Sequence, residues 1–375
     1  VRMSEIVSPP DVTGFTFDPV QKKIKFNKEQ AETIDKISKA ISNNIYQPFL
    51  LHGVTGSGKT EIYIEAARNA IQSGKTVIIL LPEISLTPQI AGRFRSVFGE
   101  EVALWHSKLT PAQRAWTWKE ICSDTFKVVI GARSAIFSPL KKVGLIVIDE
   151  EQESSFKQEA PAPRYHARDV ALVRGRYEKS AVVLASATPS LESYYNQILG
   201  KLDLLHLSKR FGGAKYPQTH IVDMIKDQEE SGKYGLILSG LLQDKIEDRL
   251  GKGEQVILLQ NRRGYSPVMR CGDCGEVVSC RHCNVSLTFH RNKKKLICHY
   301  CGYSPDGISE SCNSCHSPNM KFFGTGTQRV ESILEETFPK AKIKRLDLDT
   351  TKSGAKITAI LQSFEKGEID ILIGT

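Results

Sequence analysis

No apolar run in this 375-residue sequence is long enough to span a bilayer, and no signal-peptide pattern follows Val1. Those absences point away from membrane-spanning and secreted classes. Cysteine is nearly missing outside one window: eight of the nine lie between Cys271 and Cys315. Cys122 stands apart and is expected only to pack. Acidic excess is missing too. Lys and Arg number 51 against 42 Asp and Glu, a net charge of +9. That balance suits a polyanionic partner, and equally a solvated basic surface. Residues 1–25 lack periodicity and contain Pro9, Pro10 and Pro19, so they are expected to be a linker or the tail of a further domain.

At 40% hydrophobic and 25% charged, the rest has the composition of an ordinary globular protein. Apolar runs at Phe49–Leu51, Thr76–Leu81, Lys127–Ile130, Leu145–Ile148 and Ala181–Leu184 have the continuous Val/Ile/Leu character of parallel strands buried on both faces. Helical patterns such as Glu61–Gln72 and Thr87–Phe98 lie between them. The expectation is a doubly wound α/β lobe over 26–207, a linker over 208–239, and a second α/β lobe starting over 240–270. An insertion over 271–316 interrupts that lobe, which resumes over 317–375. The open edge of so short a second sheet suggests a fragment cut inside its second lobe.

The insertion holds four Cys-x-x-Cys knuckles: Cys271/Cys274, Cys280/Cys283, Cys298/Cys301 and Cys312/Cys315. Each offers two thiolates at the bite a tetrahedral Zn²⁺ accepts, so eight sulfurs make two four-cysteine sites. Disulfides are the rival reading, and a cytosol-like setting favours metal. Upstream, Gly53-Val-Thr55-Gly56-Ser57-Gly58-Lys59-Thr60 follows a strand and opens a helix, the context a P-loop requires. Its glycines let backbone N–H groups face phosphates. Lys59 reaches the β/γ-phosphates, and the Thr60 hydroxyl suits Mg²⁺. Leu145-Ile-Val-Ile-Asp149-Glu150 ends a buried strand in two carboxylates, Asp149 for Mg²⁺ and Glu150 to orient the attacking water. Ser186-Ala187-Thr188 follows the next strand, where hydroxyls can link the nucleotide site to the other lobe.

P-loop, Asp-Glu pair and Ser-Ala-Thr, in that order, resemble superfamily 2 helicases. Phe26-Asn-Lys-Glu-Gln30 looks like their adenine-reading glutamine motif. Leu81–Gln89 and Gly131-Ala-Arg133-Ser134-Ala135 look like their DNA-backbone motifs. Asn261-Arg262-Arg263-Gly264-Tyr265 and Gly324–Glu331 flank the eight-cysteine insertion. Over about residues 26–375 the chain resembles the PriA family of primosomal replication-restart helicases. The resemblance implies two RecA-like lobes, the second truncated, with ATP, Mg²⁺ and two Zn²⁺ as cofactors. It implies a 3′→5′ DNA helicase that recognises stalled or branched forks and initiates primosome assembly in the bacterial nucleoid. DNA, primosome proteins and single-strand binding protein are the implied partners. A DNA-stimulated remodeller with little unwinding, and a zinc-ribbon binding module with a vestigial NTPase, are the alternatives.

The resemblance also makes Glu153–Arg168 an aromatic-rich coupling loop, with Phe156, Lys157, Arg164, Tyr165 and Arg168 as its DNA or coupling residues. The cysteines can pair consecutively or in a nested way. The fourteen-residue inner loop suits a zinc ribbon, and the family nests them. Nesting joins Cys280/Cys283 with Cys298/Cys301 and Cys271/Cys274 with Cys312/Cys315. His282, His290, His299 and His316 lie nearby and are expected on the surface. Where the family carries His after its two glutamates, this chain has Gln152, expected to bond across to Ser186 or Thr188. The family's arginine-finger motif is expected beyond Thr375.

Overall fold

The computed structural model describes residues 25–82, 88–107, 109–214, 216–232, 236–260, 268–290, 295–307, 310–323, 327–346 and 354–374. The chain divides into two compact units between Pro217 and Gln218, within the stretch read as a linker. Arg262, Arg263 and Gly324–Gly326 lie outside the described residues. None of the described helices is long and apolar enough to cross a membrane.

The first unit runs α1 (Lys28–Ser42), β1 (Gln47–Gly53), α2 (Lys59–Gln72), β2 (Thr76–Leu80), α3 (Pro88–Phe98), β3 (Val102–Trp105), α4 (Pro111–Cys122), β4 (Val128–Gly131) and β5 (Val143–Asp149). It continues with a two-stranded hairpin of β6 (Lys157–Gln158) and β7 (Tyr165–His166). Then come α5 (Ala167–Glu178), β8 (Ala181–Ser186), α6 (Leu191–Ile198) and β9 (Asp203–Leu207). Seven strands form one parallel sheet in the order β3-β4-β2-β5-β8-β1-β9.

Strand β2 shows why the sheet is covered on both sides. Its Val77 and Ile79 join one buried cluster with α1, α2 and Phe94 of α3. Ile78 and Leu80 join the other, with Ile121 of α4 and Ala167 and Ala171 of α5. Successive side chains leave opposite faces of a strand, so a continuous apolar run needs helices on both. Each such side chain is worth about 1.5–3 kcal/mol on full burial. All seven strands end at one edge, which brings Gly53, Gly131, Asp149 and Ser186 to the same side.

Two of these strands, β3 and β9, were not expected from the sequence. Cys122, expected to pack, ends α4 exposed.

The second unit holds α7 (Met224–Ser231), α8 (Gly240–Gly251), β10 (Val256–Leu259), β11 (Val268–Cys271), β12 (Thr288–His290), β13 (Lys295–Ile297) and β14 (Met320–Phe323). It closes with α9 (Thr327–Thr337), β15 (Ile343–Leu346), α10 (Gly354–Glu365) and β16 (Ile371–Gly374). Helix α7 lies in the stretch read as a linker, capped by the Asp223 side chain. The strands make two sheets: β10-β16-β15, parallel, and β13-β12-β11-β14, antiparallel. The first packs Ile371 and Ile373 against Ile246 of α8 and Val330 and Leu334 of α9. The second has only a small core, Met269, Leu287 and Leu296 with Cys280 and Cys298.

Candidate nucleotide site and metal centres

Strand β1 delivers Gly53 to the sheet edge, and α2 begins at Lys59 behind a left-handed Gly58 (φ 83°). A Cβ on Gly58 would come within 2.6 Å of Gln30 Nε2, and the left-handed backbone there already favours glycine. Lys59 Nζ donates to the Gly53 carbonyl at 2.9 Å, curling over the loop. Among the described residues, the buried Ser57 hydroxyl has no partner. Thr55, Gly56, Lys59, Thr60, Asp149 and Glu150 line one open cleft of about 1580 Å³. A cation, a hydroxyl, a helix N-terminus and a carboxylate pair facing one cleft fit a nucleotide triphosphate and its Mg²⁺.

Gln30 is placed differently from its expected role. It is 1% exposed. Its Oε1 accepts from the Asn27 N–H at 2.9 Å, closing a capping box at the start of α1. Its Nε2 donates to the Ser57 carbonyl at 2.8 Å. The amide latches the P-loop from beneath. The cleft is instead lined at that end by Lys25, Phe26 and Phe211, of which the sequence reading singled out only Phe26, as part of its motif. Phe211 is held there by its N–H, which donates to the Gly56 carbonyl at 2.8 Å.

Asp149 closes β5 and accepts from the Tyr63 hydroxyl at 2.9 Å and from the Glu150 N–H at 3.1 Å. Burial pushes its carboxyl above the ordinary range, against those two donors. Tyr63 itself is buried, and burial beside this carboxylate raises its hydroxyl well above the usual phenol range. A relay leads on from Glu150. Gln152 Nε2 donates to Glu150 Oε2 at 2.9 Å, and Gln152 Oε1 accepts from the Ser186 hydroxyl at 2.6 Å. Ser186 Oγ accepts in turn from the Thr188 N–H at 2.8 Å. Gln152 thus joins the Glu150 carboxylate to the Ser186 hydroxyl, and through it to the Thr188 N–H, the bridge expected of it.

The next acid, Glu151, was not expected to matter, yet it is 0% exposed. It accepts from the Ser190 N–H at 2.7 Å, the Ser190 hydroxyl at 3.0 Å and the Ser193 hydroxyl at 2.9 Å. Its ion partner is Arg168, at 3.3 Å. The Arg168 side chain is only 13% exposed and also donates to Ser190 Oγ at 2.8 Å. The structure therefore places Arg168, expected as a DNA or coupling residue, inside a buried network.

Phe156 is also moved by the fold. Its ring is 1% exposed within the sheet's second buried cluster, where no base can stack on it. Lys157, Arg164 and Tyr165 sit on the β6–β7 hairpin, the first two exposed. Arg133 joins the hairpin to the end of β4. It donates to the Lys157 carbonyl at 2.6 Å and lies 5.8 Å from the Tyr165 ring. Ser134, beside it, is exposed.

In the second unit the eight thiols form two quartets, Cys271/Cys274/Cys312/Cys315 and Cys280/Cys283/Cys298/Cys301. Within each, the sulfurs all lie within 4.8 Å of one another. This is the nested arrangement. Closest sulfurs of different knuckles are 3.5 Å apart for Cys271–Cys315 and Cys274–Cys312, and 3.6 Å for Cys280–Cys301. A tetrahedron with Zn–S near 2.3 Å has edges of about 3.8 Å, so the quartets fit zinc and exclude disulfides.

All four knuckles use one turn. The residue after the second cysteine is left-handed in each: Gly275, Asn284, Gly302 and His316. Its N–H returns to the first cysteine's carbonyl at 2.9–3.2 Å. Backbone amides within the knuckle lower the thiols of Cys271, Cys298 and Cys312, while burial and the neighbouring sulfurs raise those of Cys274, Cys283, Cys301 and Cys315. His282 packs edge-on against Tyr303 at 5.2 Å and belongs to neither quartet.

The DEAD/DEAH box helicase family model matches residues 27–196. The PriA DNA helicase Cys-rich region (CRR) domain model matches residues 280–304. The replication restart protein PriA of Bacillus subtilis (strain 168) is 43% identical over 365 residues, 96% of this chain and 45% of that protein. The Rickettsia felis replication restart protein PriA is 40% identical over 376 residues, 100% of this chain and 57% of that protein. The chain spans about half the length of the curated relatives it matches. Among solved structures, RecG bound to a three-way DNA junction superposes with a TM-score of 0.51 at 17% identity, covering 94% of this chain and 37% of that one. The DUF1998 helicase MrfA bound to DNA gives 0.51 at 13% identity, covering 93% and 42%. At such identities the likeness is one of fold: this is the α/β helicase architecture.

Proposed function

The chain belongs to the PriA family of replication restart proteins, and we propose that it forms the ATP-driven engine of a 3′→5′ DNA helicase acting at stalled or branched replication forks. One observation carries the reading. Lys59, Asp149 and Glu150 share one cleft, and a hydrogen-bond relay through Gln152 leads from Glu150 to Ser186. A vestigial nucleotide site would have no reason to keep all five groups aligned.

In this reading Lys59 and the P-loop amides bind the β- and γ-phosphates, and Thr60 and Asp149 are the residues that would hold Mg²⁺. The ion, when bound, neutralises charge on the transferred phosphoryl group. Glu150 orients the attacking water and takes up its proton. Gln152 keeps the Glu150 carboxylate aimed and makes its position depend on Ser186. A movement of the strand-end segment 186–188 is then felt at the catalytic base. Each cysteine quartet would hold one Zn²⁺, which would supply folding energy to an inserted module whose own core is small. Primosome proteins and single-strand binding protein are its proposed protein partners, and the bacterial cytoplasm its proposed location.

The test is displacement of a labelled strand from a forked duplex by the whole protein. Glu150→Gln should bind ATP and displace nothing. Gln152→Ala should hydrolyse ATP with much of the DNA stimulation lost. ATP hydrolysis stimulated by DNA, with no strand displaced by the native protein, would replace the helicase reading with a remodelling one.

A further inference from the structure

A second cleft, of about 570 Å³, opens at the β3–β4 end of the first unit's sheet. Trp105 closes β3 and Trp118 lies on α4, their rings 5.4 Å apart and tilted by 50°. Arg114, one turn earlier on α4, stands 5.9 Å from the Trp105 ring. Trp105 Nε1 donates to Ser134 Oγ at 3.2 Å, which fixes the indole. Arg133 completes the lining. A Cβ on Gly131 would meet the Trp105 carbonyl at 2.2 Å, so this close approach of the two strand ends requires glycine.

These side chains are not spare core. Trp118 is 40% exposed, Arg114 is exposed, and Phe137 borders the cleft at 49% exposure. No carboxylate lines the cleft among the described residues. A groove built for an apolar peptide has no use for two guanidiniums. A site for phosphate alone has no use for one exposed and one half-buried indole. Flat rings beside cations match a chain of bases joined by phosphates, with bases stacking on the indoles and phosphates meeting the arginines.

We infer that Trp105, Trp118 and Arg114 form a stacking platform for unpaired bases of single-stranded DNA. The inference rests on the helicase reading and adds three residues that the sequence motifs do not contain.

The test is anisotropy of a labelled oligo-dT with the protein, with tryptophan emission followed in parallel. Trp118→Ala should weaken binding about five- to a hundredfold, the range for loss of one stacked base. Trp118→Phe, which keeps a ring, should restore most of it. Arg114→Ala should lower the slope of log K against log salt by about 0.7, one phosphate contact on a single strand. An oligonucleotide of abasic sites should bind the native protein and Trp118→Ala alike. If the native protein binds oligo-dT and neither Trp118→Ala nor Arg114→Ala changes that, the platform is overturned and the helicase reading stands. If the native protein binds no single strand, both fall. If the variants lose an acidic peptide while keeping oligo-dT, the cleft belongs to a protein partner and the platform is wrong.

Discussion

Replacing Glu151 with Ala should destabilise the first unit more than any surface substitution. The carboxylate is fully buried and receives three hydrogen bonds from Ser190 and Ser193 as well as the Arg168 ion pair. Truncation leaves the Arg168 guanidinium, 13% exposed, without its one buried charge partner and with only the exposed Asp169 and Glu192 carboxylates beside it. It also frees the Ser190 N–H at the start of α6. Breaking one side of such a buried pair costs about 3–5 kcal/mol, against about 0–1 kcal/mol for an exposed pair. In a unit of this size each kcal/mol moves the melting midpoint by about 2–4 °C, so the shift should be about 6–20 °C downward. Thermal unfolding followed by circular dichroism measures it. The double variant Glu151→Leu/Arg168→Leu should recover much of the loss, because no lone charge remains buried. A Glu151→Ala cost below about 1 kcal/mol, or a double variant as unstable as the two singles added, would refute the argument.

Cys280→Ser should lower the zinc content from two ions per chain to one, because its quartet shares no sulfur with Cys271, Cys274, Cys312 and Cys315. Metal analysis that still finds two would contradict the separation. Gln30→Ala should weaken ATP and GTP binding equally, by roughly tenfold at most, since a latch worth about 0.5–1.5 kcal/mol is lost. A loss confined to ATP in a fluorescent-nucleotide titration would make Gln30 a base reader after all. Burial, and then the Arg168 charge, hold the His166 imidazole below its usual range. Its Nδ1 accepts from the Arg168 N–H, which requires the neutral ring. That stability is complete above the unfolded imidazole value of about 6.5 and is lost as pH falls below it. His166→Asn keeps a capping acceptor, so denaturant unfolding at about pH 7 and about pH 5 should differ less than in the native protein; an equal difference would remove His166 as the cause.

Some of this was legible from residue order alone. A strand, a glycine loop and a helix announced the P-loop, and a buried strand ending in Asp149 announced its partner. The fourteen-residue spacing between Cys283 and Cys298 made the inner quartet favourable. Other features were hidden for physical reasons. Strand β3 is only four residues long, and β9 mixes Leu with exposed polar residues at the sheet's edge, so neither shows a continuous apolar run. Gln30 reads the same whether its amide meets a ligand or backbone groups, and only the fold shows both ends already bonded. Phe156 and Arg168 carry the chemistry of a DNA loop, yet the chain turns both inward. Glu151 looked like one more acid in a solvated run because its partners, Arg168, Ser190 and Ser193, lie 17 to 42 residues away.

Strands β11 and β14 lie side by side and antiparallel, with Val268 opposite Phe323 and Cys271 opposite Met320. The polypeptide therefore departs into the cysteine-bearing excursion and returns at neighbouring points. The β10-β16-β15 sheet borrows no strand from that excursion. For the host sheet the whole detour is one closed loop, and its entropic cost grows only with the logarithm of its length. Residues could be gained or lost there, over evolution or by engineering, while Val256 keeps its register with Ile371. The metal module is in this sense a cassette, free to diversify without renegotiating the fold that carries it.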